Sequence, residues 1–198
     1  MSRGSVKYDL QSVSAGGFLT ILPPSGEEWV LHTIYSEYPS ELYFTDGTDL
    51  ILAESLVGVG GYVSGLTYRL THNLYFKLKN VDSASRKLAY SGIQTADSST
   101  PRVGSTVSDF LVLTEGDSLI IGPDAGYEYE VQNIFFSDSV DISLDDGMTT
   151  LMIARTATSG VWRNTGFELV HDNFKMQINN PNPSDVIVGY TGIITRIP

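Results

Sequence analysis

Chemistry in this chain would have to be built from three histidines, His32, His72 and His171, and from 23 Asp and Glu residues, because the sequence contains no cysteine. Without Cys there is no disulfide, no thiol nucleophile and no Cys-ligated zinc or iron–sulfur cluster. None of the histidines stands in an HxH or HExxH spacing, so they read as strand and turn residues rather than metal ligands or general bases. Asp46-Gly47-Thr48-Asp49, and Asp141 with Asp145-Asp146, supply hard oxygens of the kind calcium prefers. Neither segment fits an EF-hand loop, and Asp-Gly is what a tight hairpin turn requires. A glycosidase pair needs two carboxylates facing each other roughly 5–10 Å apart across a cleft. Glu27 and Glu28 are adjacent on an extended segment and point to opposite faces, so they cannot form that pair. Gly58-Val59-Gly60-Gly61 lacks the Lys-Ser/Thr ending of a phosphate-binding loop and reads as a flexible connection. The sequence thus assigns no catalytic residue, cofactor or metal. Tyr62 and Trp162, which fall in equivalent long loops, remain as candidates for an exposed glycan or partner contact.

The elements that must position these residues are repeated. Offset by 100, the two halves of the 198-residue chain align without a gap. Pro23-Pro24-Ser25-Gly26 meets Pro123-Asp124-Ala125-Gly126, Glu28-Trp29 meets Glu128-Tyr129, and Asp46-Gly47 meets Asp146-Gly147. Asn80 meets Asn180, and Tyr90-Ser91-Gly92-Ile93 meets Tyr190-Thr191-Gly192-Ile193. The shared positions are turn glycines, a turn Asp and aromatics, where backbone geometry and burial leave the fewest choices. Residues 17–95 and 110–198 therefore read as two copies of one unit, with 96–109 a polar linker and 1–16 an N-terminal arm. Within that arm Val6, Tyr8 and Leu10 alternate with polar neighbours, as an added edge strand would.

Each unit reads as short strands. Leu74, Phe76 and Leu78 alternate with Tyr75, Lys77 and Lys79, and the second copy repeats the pattern with Phe174, Met176 and Ile178 against Lys175, Gln177 and Asn179. Strands at this spacing with turn residues between them predict an all-β protein of two tandem antiparallel β-sandwiches, jelly-roll-like, with the strand order left open. A unit of about 80 residues buries only around 60–65% of its unfolded surface, which makes self-association an expectation.

Twelve Lys and Arg against 23 Asp and Glu leave a net charge of −11. Such a surface repels phosphate and anionic lipid, so neither nucleic acid nor membrane is an expected partner. No window reaches the roughly 18–20 apolar residues of a spanning helix, and Met1-Ser2-Arg3-Gly4-Ser5 lacks a secretory apolar core.

The opening of the first unit, Phe18-Leu19-Thr20-Ile21-Leu22-Pro23-Pro24-Ser25-Gly26-Glu27-Glu28-Trp29-Val30-Leu31-His32-Thr33-Ile34-Tyr35, with its closing Leu88-Ala89-Tyr90-Ser91-Gly92-Ile93, resembles small virion proteins encoded near the capsid genes of tailed bacteriophages. The second opening, from Ile121 to Tyr129, resembles them more weakly. The resemblance implies a non-enzymatic decoration (cement) protein on the outer capsid, or another head or tail accessory, whose partners are the major capsid protein or other virion proteins. A homo-oligomer, a trimer first, would then multiply weak contacts into avidity, and the arm with Val6, Tyr8 and Leu10 would be the latch onto the capsid or a neighbouring subunit. The competing expectations are a carbohydrate- or receptor-binding module using the Tyr62 and Trp162 loops, and a polysaccharide hydrolase.

Overall fold

A computed structural model describes residues 4–57, 60–96 and 102–198, and for 163–169 the backbone only. The described residues form sixteen strands and no helix: β1 (Val6–Val13), β2 (Phe18–Ile21), β3 (Glu28–Ser36), β4 (Ser40–Thr45), β5 (Leu50–Leu56), β6 (Gly61–Leu70), β7 (Tyr75–Asn80), β8 (Arg86–Ala96), β9 (Thr106–Leu113), β10 (Ser118–Ile121), β11 (Glu128–Phe136), β12 (Asp141–Asp145), β13 (Thr150–Arg155), β14 (Gly160–His171), β15 (Lys175–Asn179) and β16 (Val186–Arg196). They divide into two compact units, residues 1–100 and 101–198.

Unit 1 has sheets ordered β1-β8-β3-β6 and β2-β7-β4-β5, all antiparallel. Unit 2 repeats both orders strand for strand, as β9-β16-β11-β14 and β10-β15-β12-β13. This crossing pattern of eight strands in two sheets is a jelly roll, so the protein is two jelly rolls in tandem. The expected alternation places Phe76 and Leu78 at 0% exposure in unit 1, and Met176 and Ile178 at 0% in unit 2. Phe76 lies 5.1 Å between centroids from both Phe44 and Tyr68, at the middle of the unit 1 core. Val131, Ile134, Ile142, Val170 and Val188 form the corresponding centre of unit 2.

The repeated polar residues explain themselves in the same structure. Asn80 is buried, donates Nδ2 to the carbonyls of Val13 (3.0 Å) and Ala84 (2.8 Å), and accepts from the Asp82 amide at 3.0 Å. Asn180 does the same with Leu113, Ser184 and Asn182. β3 and β11 both carry a bulge at the same place, between Leu31 and Thr33 and between Val131 and Asn133. Gly92 and Gly192 sit opposite, where a Cβ would run into the carbonyls of Val30 and Glu130. Asp46 and Asp146 each accept two backbone amides of their own turns, with Gly47 and Gly147 at positive φ.

Two sequence boundaries give way. Residues 6–13 are no arm outside the repeat: β1 pairs with β8 along its whole length, and β9, at offset 100, pairs likewise with β16. The repeat reaches back further still. Gly4 donates to Gln94 and Gly104 to Ile194, closing the same corner in each unit. Unit 2 accordingly starts its first strand at Thr106, inside the stretch 96–109 read as linker, of which Asp97–Pro101 lie outside the described residues. The shared Gly-Ser and Asp9/Asp109 identities carried this signal, but the apolar residues around them changed.

Candidate interaction surface

The titratable groups lie apart. His32 is on β3, His72 is in the β6–β7 turn with Nδ1 3.1 Å from the Pro23 carbonyl, and His171 ends β14 beside Asp172. Among the described residues no three His, Asp or Glu side chains converge as a metal site. The carboxylates flagged in the sequence hold architecture. Asp141 takes a two-pronged ion pair from Arg155 at 2.6 and 2.7 Å, and the guanidinium holds its carboxyl below the usual range. Asp146 is lowered by the Met148 and Thr149 amides it caps. An acid-lined groove of about 300 Å³ in unit 2 collects Asp145, Asp146 and Asp172, each already accepting from its own turn.

Glu27 and Glu28 separate as alternation requires. Glu27 Oε2 accepts from Lys7 Nζ and from Trp29 Nε1, both at 2.8 Å. Its burial raises the pKa, but these two donors and the lysine charge more than offset that, and the group lies below the ordinary carboxylate value. The Lys7 ammonium also sits 5.1 Å over the Trp29 ring, which stacks on Tyr90. Lys7 comes from β1, so this cluster clamps the first strand to β3. In unit 2 the position of Glu27 is taken by Tyr127, and Glu128, the counterpart of Glu28, meets Arg196 at 3.0 Å.

The sequence-predicted contact residues do not come together. Both stand in strands rather than loops, because each pairs across a ladder: Tyr62 with Tyr35, Trp162 with Ile134. Between the equivalent ladders β14 holds one more residue than β6, and a one-residue shift turns a side chain to the opposite face. Trp162 is therefore half-buried against the unit 2 core, while Tyr62 is 67% exposed. Gly58 and Val59, in the glycine-rich segment before Tyr62, lie outside the described residues.

What unit 1 does present is an open face of the sheet β1-β8-β3-β6. Cα partners in an antiparallel ladder point the same way, so the pairings define three outward rows. These are Leu10–Ala89–Tyr35–Tyr62, Tyr8–Ser91–Thr33–Ser64 and Val6–Ile93–Val30–Arg69, with Val30 covered at 7% exposure. Val6 is 64% exposed, Tyr8 76% and Leu10 66%, and the Tyr35 and Tyr62 rings lie 6.3 Å apart on the surface. A shallow groove of about 260 Å³ runs between Leu10, Tyr35 and Ala89, with Glu37 and Lys87 at its rim. Val6, Tyr8 and Leu10 are thus surface residues of a strand locked at its other face, not a free latch. Tyr35 and Ile93 belong to the same surface and escaped notice in the sequence, because a strand residue facing solvent and one facing the core look alike.

No protein family and no curated protein matches the sequence. Among solved structures, the chain is similar to the major capsid protein P2 of bacteriophage PM2, at 11% identity and TM-score 0.36 over 96% of this chain and 98% of that one. It is similar to the PBSX exported protein XepA, at 12% identity and TM-score 0.36 over 98% and 88%. A Bacillus subtilis oxalate decarboxylase follows at 7% identity and TM-score 0.35 over 97% and 69%.

Proposed function

We propose that this chain is a non-enzymatic structural protein of a tailed-phage virion, a decoration protein that binds the major capsid protein on the outer head surface and stabilises the shell. The observation that carries this reading is what the duplication kept. The shared polar and glycine positions described above, Asn80/Asn180, Asp46/Asp146, Gly92/Gly192 and Gly26/Gly126, all serve turns, bulges or strand closure. A duplicated enzyme or ligand site would be expected to keep converging polar side chains, whereas a structural module needs to keep only its scaffold. The jelly roll is a recurrent capsid architecture, and the resemblance of Phe18–Tyr35 to phage virion proteins directs it to that setting. An outward position also suits a chain of charge −11 better than the lining of a DNA-filled shell.

Co-sedimentation of the purified chain with phage heads lacking it tests the proposal: saturable binding in a fixed ratio to the capsid subunit and a raised shell disruption temperature are expected. Heads that neither bind the chain nor gain stability would refute it. A glycan-binding module is the second reading, favoured by the open Tyr35 and Tyr62 rings. It predicts array binding that Tyr62→Ala abolishes and Trp162→Ala leaves intact.

A further inference from the structure

We infer that the outward face of the sheet β1-β8-β3-β6 in unit 1 is covered by the same face of a second copy of this chain, in a two-fold dimer. The first argument is area. At about 150–250 Å² for a whole aromatic side chain, Tyr8, Tyr35 and Tyr62 at 76, 45 and 67% exposure leave roughly 400 Å² of this face open. With Val6, Leu10 and Ile93 the open apolar surface reaches roughly 700 Å², above the ~300–600 Å² of the largest patch on a typical monomer and close to the ~800 Å² that each partner gives a standard interface. These side chains lie on adjacent rows of one sheet, so they form a single patch rather than scattered exposures.

The second argument is charge, and it selects the occupant. In an isologous contact residue i meets j and j meets i, and only groups near the two-fold axis meet their own kind, so a carboxylate near the centre faces another carboxylate. The chain carries 23 acidic residues, yet none of them stands in the three outward rows. On so acidic a molecule this is a place where a copy can approach with little repulsion. Packed sheet faces lie about 10 Å apart with their strands within about 30° of alignment, the arrangement a two-fold stack of this face would take. At the unit 2 positions of Tyr35 and Ser91, Phe135 and Thr191 are 0% exposed, so the open tyrosine rows belong to unit 1. A two-fold stack uses the face fully, whereas the trimer suggested by the duplication does not follow from it.

This inference stands whether or not the chain is a virion protein, because it is read on the isolated molecule. Sedimentation velocity of the full chain at up to about 100 μM, where even weak interfaces are populated, is expected to show a dimer. The double variant Tyr8→Glu, Tyr62→Glu places acidic groups against each other across the axis and is expected to weaken association about 100-fold or more. Both side chains are mostly exposed, so its thermal unfolding should match that of the wild type. If glutamate perturbs the strands, Tyr8→Ser, Tyr62→Ser reads the same interface by loss of apolar area. A control, Thr20→Glu on the exposed side of the other sheet, should leave the dimer intact. A monomer throughout the range, a trimer, or a dimer indifferent to the Tyr8 and Tyr62 changes would overturn the inference. So would loss of head binding by a variant of an already monomeric chain, which would assign the face to the capsid.

Discussion

At the residue scale, one buried asparagine and one glycine hold each jelly roll closed. Asn80 reaches from the end of β7 to the Val13 carbonyl at the end of β1 and to the Ala84 carbonyl in the β7–β8 turn, tying the three together through one buried side chain. Removing it leaves several buried polar groups unpaired, each costing about 1–3 kcal/mol, so Asn80→Ala should lose roughly 3 kcal/mol in urea unfolding. Asn180→Ala should lose a similar amount, since its bonds are the same; a loss below about 0.5 kcal/mol for either would remove the asparagine from this role. Gly92→Ala forces a Cβ onto the Val30 carbonyl at a fixed bulge, where neither backbone can withdraw, and should destabilise unit 1. A Gly92→Ala variant that unfolds at the wild-type urea concentration would show the bulge to be plastic. These positions were legible in the sequence because their constraints are local and recur at a fixed offset.

At the element scale, β1 is the informative strand. Its inward side is fastened by the Lys7–Glu27–Trp29 cluster and its outward side carries the exposed apolar rows. Deleting residues 2–14 should therefore destabilise unit 1, uncover Trp29 and shift tryptophan emission to the red. An unchanged spectrum would restore the picture of a dispensable arm. The cluster also sets an acid limit. Glu27 has a folded pKa below its unfolded value, so its contribution is present above about pH 4.5 and disappears as pH falls through the folded value. The thermal midpoint should fall below pH 4.5 less steeply in Glu27→Gln than in the wild type. Tyr43 gives the alkaline counterpart. Burial, then its hydrogen bond to Glu41, pushes the phenol up to about 12, so its contribution holds below pH 10 and is lost as pH rises toward 12. Absorbance of the phenolate should show this late-titrating group vanish in Tyr43→Phe. The alternation of β7 and β15 could be read from sequence alone. The register of β14 could not, because one additional residue in its ladder, which turns Trp162 inward, is defined only by pairing with a strand distant in the chain.

At the scale of the whole molecule, the two units share both sheet orders and differ at their surfaces. Residues 1–100 hold seven Lys and Arg against ten Asp and Glu, a net of −3, while residues 101–198 hold five against thirteen, a net of −8. Most of the acidity thus belongs to unit 2, and the open apolar face to unit 1. Strand order escaped the sequence because a jelly roll joins strands distant in the chain, and turn signals report only neighbours. The proposed function rests less on any cluster of side chains than on what the two units share, which is scaffold. The central claim, a structural place on the outside of a phage head, is tested most directly by cryo-electron microscopy of intact particles that carry this chain. The account predicts pairs of jelly rolls on the outer head surface in a fixed number per capsid subunit. Particles purified free of the chain, or density for it only inside the shell, would contradict it.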